Sequence, residues 1–249
     1  MTAGVESTRV VRVWDAPTRI FHWTMVALVV VAWLTGESDG LGAQAHRYAG
    51  EAMAGLLVFR ILWGFIGGEH ARFSAFFPAP SGVLSHARGI FGGKSHRTLG
   101  HNPLGALAVF ALLLSISVVV VTGLLSAGEE GPSGPLAAVF GMDLAEAHEL
   151  SFRVLQGLVV LHLIGVTVTS WASRDNLVLA MIAGGKRRAQ DDPALDARPA
   201  SGGALLTAVL LSGAAALALM TMPHPIGGDT GGESTQIERG EIDQDDERD

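Results

Sequence analysis

The run AHELSFRVLQGLVVLHLIG, residues 147–165, holds two histidines, His148 and His162, in a stretch otherwise apolar enough for a bilayer. Fourteen residues at about 100° each fall about 40° short of four helical turns, so both imidazoles project from nearly one face, about 21 Å apart along the axis. Phe152, Leu155 and Val159 lie between them on that stripe, which is apolar except at its two ends and therefore faces other helices. Two further histidines, His22 and His46, stand at the starts of the first two apolar runs. An ionisable ring inside a membrane span is costly and marks function more often than packing. Imidazoles facing one another across a gap fill both axial positions of a low-spin haem iron, each with a neutral nitrogen, and leave no water ligand. Four of them at two matched depths suit two haem groups.

The chain has no cysteine among its 249 residues. That excludes disulfides, thiolate zinc sites, cysteine-ligated iron–sulfur clusters and the covalent attachment of c-type haem, so any haem here is held by non-covalent contacts and ligation. With 49% hydrophobic residues, 16% charged residues and a mean hydropathy of +0.37, the composition is that of a membrane protein. The formal charge of -7 is local. Residues 1–228 hold fifteen Lys and Arg against fifteen Asp and Glu, and the surplus lies in DTGGESTQIERGEIDQDDERD, residues 229–249. Such an acidic run reads as a solvated, disordered tail. Nothing basic enough for nucleic acid is present.

Five apolar runs are long enough for roughly 30 Å of hydrocarbon, at about 20–36, 46–67, 103–127, 147–172 and 203–222. None shows the alternation of a barrel strand, so the fold class is all-α: an integral membrane four-helix haem-binding bundle plus a fifth transmembrane helix. Basic residues cluster before the first run (Arg9, Arg12, Arg19), between the second and third (Arg72, Arg88, Lys94, Arg97) and between the fourth and fifth (Arg174, Lys186, Arg187, Arg188, Arg198). The other two connections have none, which places the N-terminus in the cytoplasm and the tail outside. The chain then divides into a cytoplasmic N-terminal segment (1–19), a four-helix di-haem core (20–176), a cytoplasmic linker (177–202), the fifth helix (203–222) and the acidic tail (223–249). Alternating directions pair His46 with His148 near the outer side and His22 with His162 near the cytoplasmic side.

Other residues fit the same placement. Gly50, one turn after His46, removes side-chain bulk where a porphyrin would lie against the helix. Arg47, Arg60 and Arg153 lie inside or at the edges of spans, where a cation needs a partner, and haem propionates supply one. His70, His86, His96 and His101 fall in the basic loop and read as solvated; His224 reads as interfacial. The Leu/Ala character of the fifth run reads as lipid-facing packing. Among rival functions, a superoxide:quinone oxidoreductase needs a basic funnel on the outer face, where the loops carry no Lys or Arg. A metal or proton transporter using the histidines directly predicts colourless protein, broken spans or an internal repeat, and no repeat is evident.

The sequence resembles the bacterial cytochrome b561 family, which includes the b-type cytochrome subunits of nickel-iron hydrogenases. The resemblance covers about residues 10–176 and rests on VWDAPTRIFHW, HRYAG, FRILWGFIGGEHARF, HNPLGAL and the two-histidine fourth span. It implies a four-helix core in the bacterial inner membrane with two haem b groups, ligated by His22, His46, His148 and His162. It further implies electron transfer between quinone or quinol, dissolved in the membrane lipid, and a partner on one side. That partner would be an oxidoreductase subunit, or a basic periplasmic c-type cytochrome drawn to the acidic tail. The fifth span and the tail depart from the family pattern.

Overall fold

In a computed structural model, the chain is described at residues 7–91, 98–126, 134–140, 142 and 144–222. The acidic run 229–249, His96 and His224 fall outside these residues, as does the side chain of His86. In chain order the elements are β1 (Thr8–Arg12), α1 (Ala16–Thr35), α2 (Leu41–Ile66), a single 3-10 turn (Phe73–Ala75), α3 (Pro80–Phe91), α4 (Pro103–Leu125), α5 (Ala137–Phe140), α6 (Ala145–Ser173), α7 (Leu177–Ala183), β2 (Gly185–Ala189) and α8 (Gly202–Met220). Helices α1, α2, α4, α6 and α8 are long and apolar enough to cross a membrane, and they coincide with the five expected runs.

The starts of these helices are written in local chemistry. Asp15 caps α1 by accepting from the Thr18 amide at 2.8 Å, and Asn102 caps α4 by accepting from the Gly105 amide at 2.7 Å. A proline follows each cap within the first turn, where its missing N–H costs no helical bond. Ser201 does the same for α8. The Asp15 carboxylate also accepts from the Trp63 indole at 3.1 Å, which ties the start of α1 to the end of α2.

Helix α2 is the hub. It packs against α1, α4 and α8, while α4 packs against α6. Phe21 and Met25 of α1, Met53, Leu57 and Trp63 of α2, Ile116 and Val119 of α4, and Leu155 of α6 form one buried cluster. Phe152 and Val159 pack against it, so the stripe of α6 that carries both histidines does face inward. Helix α8 is more than lipid-facing packing. A Cβ on Gly55 would lie 2.7 Å from the Ala216 Cβ and 3.1 Å from the Ser212 carbonyl oxygen, a close crossing of small residues of the kind that holds helices together in lipid.

A two-stranded sheet was not expected from the sequence. β1 and β2 pair antiparallel, with Val10 opposite Arg187, and join the N-terminal segment to the segment between α6 and α8. The inward face of β2 carries Lys186 and Arg188, both buried. Arg188 makes a two-pronged ion pair with Asp175 at 2.9 and 3.1 Å, and both cations donate to the Thr98 carbonyl, at 2.9 Å from Lys186 and 3.2 Å from Arg188. This cap closes the end of the bundle that carries the basic connections.

Candidate functional site

His46 and His148 come together at the end of the bundle remote from the sheet, with ring centres 6.1 Å apart and planes 82° to one another. Two imidazoles bound on opposite sides of one metal, each at about 2 Å, place their ring centres roughly 6 Å apart. Each ring is also anchored at its other nitrogen. His46 Nδ1 lies 2.8 Å from the Ala32 carbonyl of α1, and His148 Nδ1 lies 2.9 Å from the Val119 carbonyl of α4. A carbonyl only accepts, so each Nδ1 carries the proton and donates it, which leaves each Nε2 with its lone pair free. An N–H to carbonyl anchor of this kind fixes the ring and raises its basicity as a ligand. Spacing, tautomer and anchoring all fit a haem iron between the two rings.

His22 and His162 lie toward the sheet end, within electrostatic range of one another. His22 Nδ1 is sealed from solvent without a hydrogen-bond partner, and Trp23 packs edge-on against the same ring at 5.0 Å. A buried imidazole left unsatisfied by the chain fits a ligand role. Beside His46, a Cβ on Gly50 would meet nothing within 4 Å, so the groove expected there is open.

The three arginines of the spans all have partners in the chain. Arg47 pairs with Glu51, one turn along α2, at 3.8 Å and covers the Tyr48 ring at 5.0 Å. Arg153 pairs with Glu149 on the exposed surface of α6. Arg60 is buried near the sheet end, where it donates to the Ala71 carbonyl at 3.2 Å and lies 4.7 Å over the Phe73 ring.

Two histidines of the basic loop depart from the solvated reading. The His101 ring packs between Trp14, at 4.6 Å, and Phe76, at 4.2 Å, with Nδ1 sealed and unpartnered. Burial first, and then the positive charges of Arg60, Lys186 and His70, push its pKa down to about 3. His70 sits edge-on to Trp14 and is also lowered, mainly by burial. Lys186 is lowered to about 8 by burial, against the pull of Asp175. The loop is basic in composition, yet it folds back under Trp14. Sequence reasoning also missed Ala32, Val119, Thr122 and Gly123, which surround the anchored imidazole nitrogens.

A membrane bundle that holds opposed, carbonyl-anchored imidazoles in its interior has the architecture of a b-type cytochrome. The model of the prokaryotic cytochrome b561 family matches residues 13–184, and the chain belongs to that family. It is accordingly a multi-pass, haem-b-carrying electron-transport protein of the membrane. Among its relatives, a protein of Bradyrhizobium diazoefficiens named "probable Ni/Fe-hydrogenase B-type cytochrome subunit" is 28% identical over 70% of this chain and 85% of its own. One of Azotobacter vinelandii with the same name is 28% identical over 76% and 92%. A "probable Ni/Fe-hydrogenase 1 B-type cytochrome subunit" of Escherichia coli is 23% identical over 69% and 88%. No solved structure matches the chain.

Proposed function

We propose that the chain holds two haem b groups and relays electrons through the membrane between quinone and a redox enzyme bound at the outer face. The observation that carries this reading is the His46/His148 pair, set at the spacing of a shared metal with both Nε2 lone pairs free. His22 and His162 form the second pair, toward the basic end. Bound iron supplies the one-electron couple. The chain does the rest: its histidines fix ring positions, the apolar stripe of Phe152, Leu155 and Val159 excludes water between the two depths, and Gly50 leaves α2 open to a flat ring. Arg47 and Arg153 would meet propionates at the outer level and Arg60 at the inner one, each by exchanging a partner it already has.

In this reading the sheet end and the N-terminus lie in the cytoplasm and the acidic tail in the periplasm, which the basic connections at the sheet end support. The relatives' names point to a nickel-iron hydrogenase as the enzyme partner. A basic c-type cytochrome is the alternative occupant of the acidic outer side, by charge complementarity.

The test is haem content per polypeptide in purified protein, with a reduced-minus-oxidised spectrum. His148→Ala and His46→Ala should each remove the same one of two haems, while His162→Ala and His22→Ala remove the other. Parental haem content in His148→Ala, or a colourless parent protein, overturns the reading.

A further inference from the structure

The carbonyls that anchor the outer pair occur in the same local sequence twice. VAWLTG, residues 31–36, ends α1, and VVVVTG, residues 118–123, lies near the end of α4. In each, the second residue offers its carbonyl to a histidine of the next long helix: Ala32 to His46, and Val119 to His148. The threonine three positions on turns its hydroxyl back along its own helix, Thr35 to the Val31 carbonyl at 2.7 Å and Thr122 to the Val118 carbonyl at 2.8 Å. The glycine four positions on stands over the anchoring carbonyl. Side chains on a helix lean toward its N-terminus, so a side chain at this position leans toward that carbonyl and meets the arriving ring wherever the two helices approach closely.

The two copies differ in tightness. A Cβ on Gly123 would lie 2.9 Å from His148 Cε1 and 3.2 Å from its Nδ1, closer than a ring tolerates, whereas a Cβ on Gly36 would lie 3.7 Å from His46, an ordinary contact. They also differ in polarity. Thr122 Oγ1 lies 3.2 Å from His148 Nδ1 and 3.0 Å from the Val119 carbonyl. Its shorter bond takes the hydroxyl proton to Val118, which leaves an oxygen lone pair facing the His148 N–H. That N–H is then shared between two acceptors.

We infer that Thr122 and Gly123 form a seat for the axial histidine His148, which the looser Thr35-Gly36 copy does not form for His46, and that Thr122 is a positioning residue whose oxygen makes the His148 imidazole a more basic ligand and holds down the potential of the outer haem. The inference rests on the bis-histidine reading above. A more basic axial ligand favours ferric over ferrous iron, so removing the second acceptor makes reduction easier. The main acceptor, the Val119 carbonyl, stays in place, which keeps the effect below that of losing the anchor outright.

The experiment is a spectroelectrochemical titration of the purified protein, with haem content measured in parallel. Thr122→Val should keep both haems and make the outer one easier to reduce by about two- to tenfold, a rise of up to about 59 mV. Thr122→Ser, which keeps the hydroxyl, should restore the parental potential, and Thr35→Val should leave it unchanged. Gly123→Ala should lose the outer haem, and Gly36→Ala should retain it. No shift or a fall in Thr122→Val, an equal shift in Thr35→Val, failure of Thr122→Ser to restore the parental value, or a parental outer haem in Gly123→Ala overturns the seat. His148→Ala separates the two levels of failure. If it loses one haem while the seat variants are silent, only the seat is wrong; if it keeps both haems, the ligand assignment falls as well.

Discussion

His101 gives the protein a stability that depends on pH, and the structure fixes its sign and size. The ring is wedged between Trp14 and Phe76 with Nδ1 sealed, so it is neutral in the folded cap, with a pKa of about 3. Once the cap opens, the ring returns to an ordinary value near 6.5. The opened state therefore binds a proton that the closed state refuses, and stability falls as pH drops from about 6.5 toward 3. One pKa unit is about 1.36 kcal/mol, and pH 5 lies roughly 1.5 units below the ordinary value, so about 2 kcal/mol is lost by then. His101→Phe keeps an aromatic ring between the same neighbours and removes the titration. For a chain of this size, about 2 kcal/mol corresponds to roughly 4–8 °C in Tm. Thermal melts in detergent at pH 7.5 and pH 5.0 should show the parent losing about that much more than His101→Phe. Equal losses in the two proteins would refute a neutral, wedged His101.

Two further outcomes test the cap and the fifth helix. Asp175→Asn takes the two-pronged partner from the buried Arg188 guanidinium, leaving it Asp192 at 3.9 Å, and should cost about 3–5 kcal/mol in the same melts, whereas Asp175→Leu with Arg188→Met should recover most of it, because an apolar pair needs no desolvation to be repaid. Gly55→Leu drives a side chain into Ala216 and Ser212 and should lower stability by about 1–3 kcal/mol, while haem content per polypeptide stays at the parental value because α8, the helix pushed aside, carries none of the proposed ligands.

What the sequence made legible followed from local rules. Run length gave the five spans, and a spacing of fourteen residues put His148 and His162 on one face. The first pair was legible because helix direction alternates and each histidine has a definite depth. The sheet was hidden because TRVVR and GKRRA are short, basic and far apart in sequence, and their pairing depends on a buried Arg188–Asp175 contact that composition reads as ordinary surface charge. His101 was misread for the same reason, since the rings that cover it come from Trp14 and Phe76. The anchors at Ala32 and Val119 use backbone carbonyls, which every residue possesses, so side-chain identity carries no direct signal of them. The trace they leave is indirect, in the glycine four residues later that keeps the carbonyl open.

The packing of the spans gives the histidine pairs a second role. Close contacts run from α1 to α2, from α2 to α4, from α4 to α6, and sideways from α2 to α8, so α6 is held tightly by only one of the other spans. The proposed ligand pairs fall on the seams outside that series: His46 with His148 joins α2 to α6, and His22 with His162 joins α1 to α6. Between those two levels the α1–α6 seam is bridged by Trp33 and Phe152, whose ring centres are 6.4 Å apart. Metal–ligand bonds across an otherwise loosely packed seam add their free energy to folding, because a pre-formed site does not survive in the opened chain. On the proposed ligation, the helix with a histidine at both depths is thus the helix whose docking depends most on the metal. Spacing between the two proposed haem levels is then set by the rigid 21 Å or so of α6 itself rather than by the fit of separate helices.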